Sequence, residues 1–321
     1  HRSSARPDAL SVGIIGAGLS GLMAAGVLQD RGLSVTVFDK GRRPGGRANT
    51  REHGFHRFDH GAQFFTVRDP FVQRHLQAWL QEGVVAEWNG ALVRIHGDRV
   101  EPAKKAVRYV GVPGMISLAR HLARDLEVRA GEGVTGVEPT KGGWSLRGHG
   151  GQDMGFFHRV VVAVPAPQAA DLLQAAPELR ARARAVEMAP CWAGMYVFEE
   201  PPALGFDGAF LAEGPISWVA RDSSKPGRPS GEAWVVHAGP EWTRANYGSD
   251  RDAVARDLLE LVGGRFGPLP PVAFQRAHRW GFALASKPVS GDALFDPELG
   301  LGACGDWCRG GRVEGALLSG M

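Results

Sequence analysis

A glycine-rich turn between an apolar strand and a helix is the feature that most constrains how this chain can fold. The turn, residues 16–21, follows the apolar run 12–15 and has the pattern G-x-G-x-x-G. A helical pattern over 20–31 and a second strand pattern over 34–38 come next. In such a β-α-β unit the glycines allow a tight turn, close approach of the backbone to a pyrophosphate, and close packing of the helix. The sequence therefore predicts a dinucleotide-binding Rossmann unit with ligand contacts from Gly16, Gly18, Leu19, Ser20 and Gly21.

An acidic residue follows the second predicted strand at the distance that this unit requires. Asp39 ends that strand, where a carboxylate can bind ribose hydroxyls, and Lys40 lies next to it. Residues 131–136 and 300–305 also match G-x-G-x-x-G. The former lacks a following helix pattern, and the latter lies too near the end of the sequence to complete a β-α-β unit. The context therefore favours the turn at 16–21 as the dinucleotide site.

The rest of the chain predicts an α/β fold with two domains. Residues 160–164 form a valine-rich run typical of a buried parallel strand, and residues 126–137 are predicted as another strand. The stretch 189–288 is rich in Trp, Pro and Gly and carries short strand patterns, which indicates a mixed or antiparallel sheet. We therefore predict a discontinuous Rossmann-type domain of residues 9–70, 110–188 and 289–321, and a second domain of residues 71–109 and 189–288.

Charge and cysteine content argue against several classes of function. The chain has 37 basic and 34 acidic side chains, a formal net charge of +3, so nucleic acid is not an expected partner. There is no apolar run of about 18 residues, and residues 1–8 lack the apolar core of a signal peptide, so no membrane association is expected. Three sparsely placed cysteines predict neither a disulfide framework nor a metal site, and they favour the cytoplasm.

One short basic cluster leaves two interpretations open. Lys104, Lys105 and Arg108 lie within five residues of one another. They form either a solvated surface or one wall of a basic pocket for an acidic ligand.

Further motifs resemble the amine-oxidase-like flavoproteins. Gly45, Gly46 and Arg47 are similar to the G-G-R loop of that family, which implies FAD with Arg47 paired to its phosphates. Val134 falls in the strand whose backbone contacts adenine in the family. The closing motif of the family, in which a helix N-terminus faces the flavin, resembles residues 305–315. It implies cofactor contacts from Gly305, Asp306, Arg312, Val313 and Glu314.

Longer segments resemble a narrower group, the bacterial renalases. Residues 58–69 are similar to the segment beside the flavin in that group, and residues 277–280 and 305–315 are similar to later parts of it. Residues 223–226 and 239–242 resemble the middle of the same family, so the resemblance covers nearly the whole chain. Phe64 departs from the pattern, because Tyr is expected there and Phe has no phenolic hydroxyl.

The resemblance implies both architecture and chemistry. Renalases are amine-oxidase-like, with a Rossmann-type FAD domain and a substrate domain, and the flavin here is expected to be non-covalent. Their substrates are 2- or 6-dihydro-NAD(P), which lose a hydride to flavin N5 and become NAD(P)⁺, after which O₂ is reduced to H₂O₂. Because a dihydropyridine becomes aromatic on losing one hydride, such a site needs positioning more than a general base.

The matched segments supply the candidate residues around the flavin. Aromatic side chains would hold the planar ring, Gln63 would hydrogen-bond the flavin or the carboxamide, and polar residues would face the other end of the substrate. The candidate catalytic residues are Gln63, Phe64, Phe65, Thr66, Arg68, Trp192 and Trp280. Gly61, Ala62 and Gln63 are also expected to contact the cofactor. His60 and His278 are interpreted either as structural histidines or as bases.

Other functions remain open on the sequence alone. An amine or polyamine oxidase, or a desaturase, would share the fold, and a non-catalytic flavin-binding redox protein would share the cofactor. A reductase of the glutathione-reductase type is not favoured, because we find a single complete dinucleotide unit and no Cys-rich redox motif. The dihydronicotinamide isomer, the choice between NAD and NADP, and the oligomeric state are not determined by these patterns.

Overall fold

The structure, a computed structural model, describes residues 10–321, so the segment predicted to lack a signal peptide lies outside the described residues. The described part contains eight α-helices: α1 Leu19–Asp30, α2 Pro70–Gln81, α3 Ile116–Ala123, α4 Ala166–Leu172, α5 Pro177–Arg184, α6 Pro240–Ala245, α7 Arg251–Phe266 and α8 Val313–Gly320. It also contains twenty strands: β1 Ser11–Ile15, β2 Ser34–Asp39, β3 Arg51–His53, β4 His56–Phe58, β5 Val85–Glu87, β6 Leu92–His96, β7 Arg99–Pro102, β8 Tyr109–Gly111, β9 Glu127–Ala130, β10 Val134–Thr140, β11 Gly143–Gly148, β12 Asp153–Phe157, β13 Arg159–Val162, β14 Glu187–Phe198, β15 Gly208–Leu211, β16 Ile216–Arg221, β17 Ala233–Ala238, β18 Val272–Lys287, β19 Leu294–Asp296 and β20 Leu301–Ala303.

The predicted Rossmann-type unit is confirmed as the centre of a six-stranded sheet. The strand order is β19-β20-β13-β1-β2-β9, and every neighbouring pair is parallel except β19 with β20. The chain leaves β1 for β2 on one side and later returns to β13 on the other. This reversal puts the switch point of the sheet at the carboxyl end of β1, where a ligand crevice forms in folds of this class.

The predicted mixed sheet is also present. It has seven strands in the order β18-β14-β17-β16-β15-β6-β7, antiparallel throughout except for the parallel pair β15 and β6. The hairpin β6-β7 comes from the part of the chain before the third helix and completes this sheet at one edge. Both sheets therefore draw strands from separated stretches of sequence, as expected for a discontinuous two-domain chain, although the exact domain boundaries stay a prediction.

One segment predicted as a single strand forms two strands. Residues 126–137 form β9 and the beginning of β10, with a turn between them in which Gly131 has φ 81°. β9 is the outermost strand of the six-stranded sheet, whereas β10 pairs with β11 in a separate three-stranded sheet. Gly131, Glu132 and Gly133 form the turn that separates the two strands.

Buried apolar side chains connect the Rossmann unit to the seven-stranded sheet. A single packed cluster contains Leu22 of α1, Phe65, and also Trp88 and Trp218 of the second region. The junction between the two large sheets is therefore filled, and several candidate functional residues lie along it.

Within residues 10–321, the structure contains no helix that combines the length and the apolar character needed to cross a membrane.

Candidate active site

The turn after β1 has the geometry that a bound dinucleotide requires. Gly16 has φ 113°, a conformation that favours glycine, and a side chain there would collide with the carbonyl oxygen of Ala163. A side chain at Gly21 would collide with the carbonyl oxygen of Gly16. A Cβ atom at Gly18, in contrast, would have no described atom within 4 Å. The open face at Gly18, together with the N–H groups at the start of α1, suits a pyrophosphate and therefore fits FAD.

Asp39, the predicted ribose ligand at the end of β2, is hydrogen-bonded to the glycine turn. Asp39 Oδ2 accepts from Ala17 N at 2.6 Å, and Oδ1 accepts from Gly41 N at 2.6 Å. Lys40 is exposed and packs beside the glycine that precedes Val134. The structure thus brings the residues predicted for ribose and adenine together at one edge of the sheet, and their contacts with the cofactor remain predictions.

Two predicted cofactor residues from opposite ends of the chain form an ion pair. Arg47 donates to Asp306 through both terminal nitrogens, at 2.6 and 3.0 Å, although 259 residues separate them. Arg47 Nη1 also donates to the carbonyl oxygen of Ala283 at 3.0 Å. The loop that carries Arg47 lies against the glycine turn, because Gly45 N donates to Ala17 O at 2.8 Å. The guanidinium is therefore held next to the turn, as a phosphate contact would require.

The predicted cofactor residues of α8 contact other parts of the protein. Glu314 Oε1 accepts from the backbone N–H groups of Arg68 and Asp69, at 2.6 and 2.7 Å. Glu314 therefore fastens the loop that precedes α2 to the first turn of α8. Arg312 is exposed at the N-cap of α8, and Val313 follows it half-buried.

The segment 58–66 packs directly on Arg47. Ala62 N donates to Arg47 O at 2.9 Å, and any side chain at Gly61 would collide with that same oxygen. Trp280 Nε1 donates to His60 O at 2.9 Å and holds the segment from the side of β18. The two regions that the sequence assigned to the flavin are thus in contact with each other.

A buried ion cluster, which the sequence did not predict, lies beneath this segment. It consists of Asp59, Asp222, Lys225 and Arg228, whose side chains are all 0–1% exposed. Lys225 Nζ lies 2.6 Å from Asp222 Oδ1 and 3.2 Å from Asp59 Oδ2, and Arg228 also pairs with Asp59. Each buried charge therefore has an opposite charge beside it, as burial of ions requires.

Burial and pairing act in opposite directions on the two carboxyl groups of the ion cluster. Burial alone would raise the pKa of Asp59, but Lys225 and Arg228 lower that pKa to about 2. Burial and the neighbouring charge of Asp59 raise the pKa of Asp222, against the effect of Lys225. Asp59 is therefore the firmly ionised member of the cluster at neutral pH.

The amide of Gln63 is fully engaged by protein groups. Its Nε2 donates to the carbonyl oxygens of Asp59 and Gly61, the latter at 3.1 Å. Its Oε1 accepts from Trp218 Nε1 at 3.1 Å and from Lys225 Nζ at 3.4 Å. The predicted contact of Gln63 with flavin or substrate is untested, but its orientation is fixed by the ion cluster.

Four aromatic rings form a second group at the same place. This aromatic cluster consists of Phe64, Trp88, Phe210 and Trp218, with Phe64 5.8 Å from Trp218 and 6.0 Å from Phe210 between ring centroids. Phe64 and Phe210 are half-buried, whereas both indoles are buried. Phe64 is thus the predicted aromatic residue that this structure places with partners suited to a flat ring.

Two other predicted aromatic residues lie elsewhere. Phe65 is buried, and its backbone pairs with that of Tyr109. Trp192 is 1% exposed and donates to Asn246 O at 2.9 Å, in the core between β14 and the helices α6 and α7. The ring of Trp192 faces the opposite side of the seven-stranded sheet from the aromatic cluster, and its predicted substrate contact stays a prediction.

Three histidines, one within the segment 58–66 and two beside it, are held in their neutral form. Burial, with His278 and Arg51 nearby, lowers the pKa of His60 to about 3. Burial likewise lowers the pKa of His237 to about 4 and that of His278 to about 4. His60 Nδ1 is buried without a hydrogen-bond partner among the described residues. These groups are uncharged at neutral pH.

Sequence reasoning missed the ion cluster and three members of the aromatic cluster for one physical reason. Asp59 lies 166 residues from Lys225, and no local periodicity reports a pairing over that distance. The only sequence signal was the resemblance of residues 223–226 to the bacterial renalases. That resemblance does not distinguish Lys225 from its neighbours.

Two family profiles match the chain. One, described as NAD(P)-binding Rossmann-like domain, matches residues 14–82. The other, described as flavin containing amine oxidoreductase, matches residues 76–321 and so covers most of the chain.

Curated relatives match over a short stretch. The neurosporene-forming phytoene desaturase of Rhodobacter capsulatus is 52% identical over 56 residues, which is 17% of this chain and 11% of that protein. Protoporphyrinogen oxidase 2, chloroplastic/mitochondrial, of Arabidopsis thaliana is 43% identical over 61 residues, 19% of this chain and 12% of that protein. The chain therefore spans only about a tenth of the length of the curated relatives it matches.

Solved structures match over almost the whole chain. Cyclohexylamine oxidase from Brevibacterium oxydans IH-35A has a TM-score of 0.74 at 16% identity, covering 97% of both chains. An oxidoreductase from Methanosarcina mazei has a TM-score of 0.71 at 14% identity, covering 97% of this chain and 99% of that one. At this level of identity the likeness establishes the fold alone.

Proposed function

The chain belongs to the flavin containing amine oxidoreductase family, and from that premise we propose that it is a renalase-like, FAD-dependent oxidase. Its substrate is 2- or 6-dihydro-NAD(P), its product is NAD(P)⁺, and O₂ is reduced to H₂O₂. We place this activity in the cytoplasm, where free thiols such as Cys191, Cys304 and Cys308 stay reduced.

The residues of this chain fit non-covalent FAD. The open face of Gly18 receives the pyrophosphate, Asp39 the ribose, and Arg47 supplies positive charge nearby. When bound, FAD supplies the acceptor for a hydride and the route by which two electrons reach O₂. The protein contributes orientation of the two rings and exclusion of water.

The observation that carries the proposal is that the carboxylates beside the segment 58–66 are already neutralised. Asp59 and Asp222 are paired with Lys225, and Asp306 is paired with Arg47. A protonated amine would find no free counter-charge among these three groups. A dihydronicotinamide ring is uncharged and needs none.

The same region supports hydride loss without proton abstraction. Asp59 is a poor base because its pKa lies near 2. His60 and His278, with pKa values lowered to about 3 and about 4, are weak bases as well. Oxidation of a dihydropyridine requires no base, because losing the hydride alone makes the ring aromatic. The ring of Phe64 offers a flat surface on which that heterocycle can be positioned.

The test is an anaerobic stopped-flow titration of the FAD-loaded protein. We expect 2- or 6-dihydro-NAD to abolish the flavin absorbance rapidly and in a 1:1 ratio, and admission of air to restore it with formation of H₂O₂. Ordinary 4-dihydro-NAD and polyamines should react far more slowly. Free FAD at equal concentration, mixed with the same donors, corrects for uncatalysed reduction.

Two results would overturn the proposal. Rapid reduction by an amine, with no response to either dihydro isomer, would identify an amine oxidase. No reduction by any donor would favour a flavin-binding protein without this activity.

A further inference from the structure

A wide-open cavity of about 530 Å³, a surface depression rather than an enclosed pocket, lies between the β5-β6 connection and the loop that follows β7. Gly90, Leu92 of β6 and Ala103 form part of its wall, and residues 104–108, which we call the basic loop, form the rest. None of the described residues that line it is acidic.

The basic loop concentrates positive charge, and neither of its lysines is paired with a carboxylate of the described residues. Lys104 and Lys105 are exposed, and neither has an ion-pair partner within residues 10–321. This differs from the ion cluster, in which every cation contacts a carboxylate. Two uncompensated lysines and an arginine around one concave surface attract anions and raise their local concentration.

Arg108 shapes the basic loop. Its Nη2 donates to the carbonyl oxygen of Lys104 at 3.0 Å, and its Nη1 lies 3.4 Å from that of Ala106. The two ends are fixed as well, since Ala103 N donates to Leu92 O at 2.9 Å and Trp88 N donates to Arg108 O at 2.8 Å. Arg108 Nε is buried and has no hydrogen-bond partner among the described residues. The loop is therefore braced rather than merely exposed.

Arg108 also links the cavity to the candidate active site. Its guanidinium carbon lies 5.4 Å from the ring centroid of Phe64 and 5.9 Å from that of Phe210. Phe64 packs against Trp218, whose indole N–H is bonded to Gln63. Arg108 therefore lines the cavity and also contacts the aromatic cluster, so the basic loop and Phe64 lie next to each other.

We propose that the basic loop binds the phosphate groups of the dinucleotide substrate, with Lys104 and Lys105 as the charged contacts and Arg108 as the residue that positions them. This inference rests on the proposed function and deepens it, because it assigns a site to the part of the substrate that does not react. It also implies that affinity grows with the number of phosphates, since the attraction is electrostatic.

The test uses a graded series of substrates and matched variants. The substrates are 2-dihydronicotinamide riboside, its mononucleotide, 2-dihydro-NAD and 2-dihydro-NADP, which carry no phosphate, one, two and three. The variants are Lys104→Gln, Lys105→Gln, the double variant, and Lys141→Gln as a control that removes an exposed lysine at another turn. Flavin content and thermal unfolding verify that each variant is folded and loaded.

We expect the double variant to raise the apparent dissociation constant for 2-dihydro-NAD by about tenfold, with the limiting rate of flavin reduction unchanged. The loss should be larger for the 2′-phosphorylated dinucleotide, smaller for the mononucleotide and absent for the riboside. Raising the ionic strength should weaken binding to the parent protein and have less effect on the double variant. Lys141→Gln should match the parent throughout.

Equal loss for riboside and dinucleotide, or no loss for either, would overturn the inference while leaving the proposed function intact. Absence of reduction by every dihydronicotinamide would instead refute the proposed function. In that case calorimetry with NAD⁺ and with inorganic pyrophosphate decides the inference separately. Binding that the double variant loses supports an anion site, and equal or absent binding overturns it.

Discussion

The glycine turn at residues 16–21 and the buried ion cluster are built on opposite principles. The turn is contiguous in sequence, and its shape depends on the absence of side chains at Gly16 and Gly21. The ion cluster joins Asp59 to Lys225 across 166 residues and depends on paired side-chain charges. The glycine turn should therefore be disrupted by adding a side chain, whereas the ion cluster should be disrupted by removing a charged partner.

The largest expected effect is on the ion cluster. Lys225→Met leaves Asp59 and Asp222 without their shared cation, so the free energy of unfolding should fall by about 3–5 kcal/mol. Lys287→Met is the matched control, because Lys287 pairs with Glu187 at 3.0 Å but both side chains are exposed, and it should cost about 1 kcal/mol or less. Urea unfolding at pH 7.5 measures both.

Adding Asp222→Asn to Lys225→Met should recover part of the loss, since Asp222 is the carboxylate left without a cation, whereas Asp59 keeps Arg228. If Lys225→Met lowers the free energy of unfolding no more than Lys287→Met does, the ion cluster stabilises the fold no more than an exposed ion pair, and the prediction is wrong.

A smaller effect is expected where the two kinds of site meet, at Arg47. Arg47→Ala should weaken FAD binding by about 1.5–3 kcal/mol, because a charge-assisted phosphate contact is lost, while turnover per bound flavin changes less. Equilibrium dialysis of FAD and the flavin-to-protein absorbance ratio measure the first quantity. Arg57→Ala is the control, since Arg57 pairs loosely with Glu52 at 3.8 Å on the surface. An unchanged flavin content with collapsed turnover per flavin would contradict the assignment.

Lowering the pH should destabilise the fold through His60, which lies next to Asp59 of the ion cluster. Its pKa is about 3 in the folded protein and about 6.5 when unfolded, so the unfolded chain binds the extra proton between these values. The resulting stability is fully present above pH 6.5 and is lost as the pH falls, by about 2 kcal/mol from this group between pH 6.5 and 5. We therefore measure the free energy of unfolding in urea at several pH values across this range. Its decrease with falling pH should be less steep for His60→Gln than for the parent protein, and unchanged for the exposed His149→Gln. Equal slopes would remove His60 from the explanation.

The smallest effect on stability is expected at Gly18. Because a Cβ atom there has no described neighbour within 4 Å, Gly18→Ala should change the unfolding free energy of the flavin-free protein by about 1 kcal/mol or less. FAD binding should nevertheless weaken, since the methyl group occupies the approach to the pyrophosphate. Gly21→Ala should destabilise the fold itself. Normal FAD affinity in Gly18→Ala would contradict the placement of the pyrophosphate.

The same contrast explains which parts of the structure could be predicted from sequence. The unit β1-α1-β2 was predicted almost to its ends, because apolar periodicity, the glycine spacing and Asp39 are all local signals. The pairing of Arg47 with Asp306 was not, although both residues were assigned to the cofactor, because a resemblance marks residues without stating which of them touch.

β18 illustrates the other kind of limit. It extends over sixteen residues beside β14, yet most of its side chains are only half-buried and show no clean alternation between apolar and polar faces. The period-two signal that identifies a strand was therefore weak there. The face of β14 on which Trp192 lies could not be predicted either, since one register step moves a strand residue to the other face of its sheet.

The parallel pairing of β6 with β15 has a consequence for biosynthesis. The two strands meet at Ala91 and Asp207, which are 116 residues apart. At a synthesis rate of roughly 5–20 residues per second, the hairpin β6-β7 waits roughly 6–23 s for its partner strand to leave the ribosome. During that interval Leu92 and Ile95, which end up buried, present an unpaired edge to the surroundings. A nascent chain of this design therefore offers chaperones, and aggregation, an unpaired strand midway through translation.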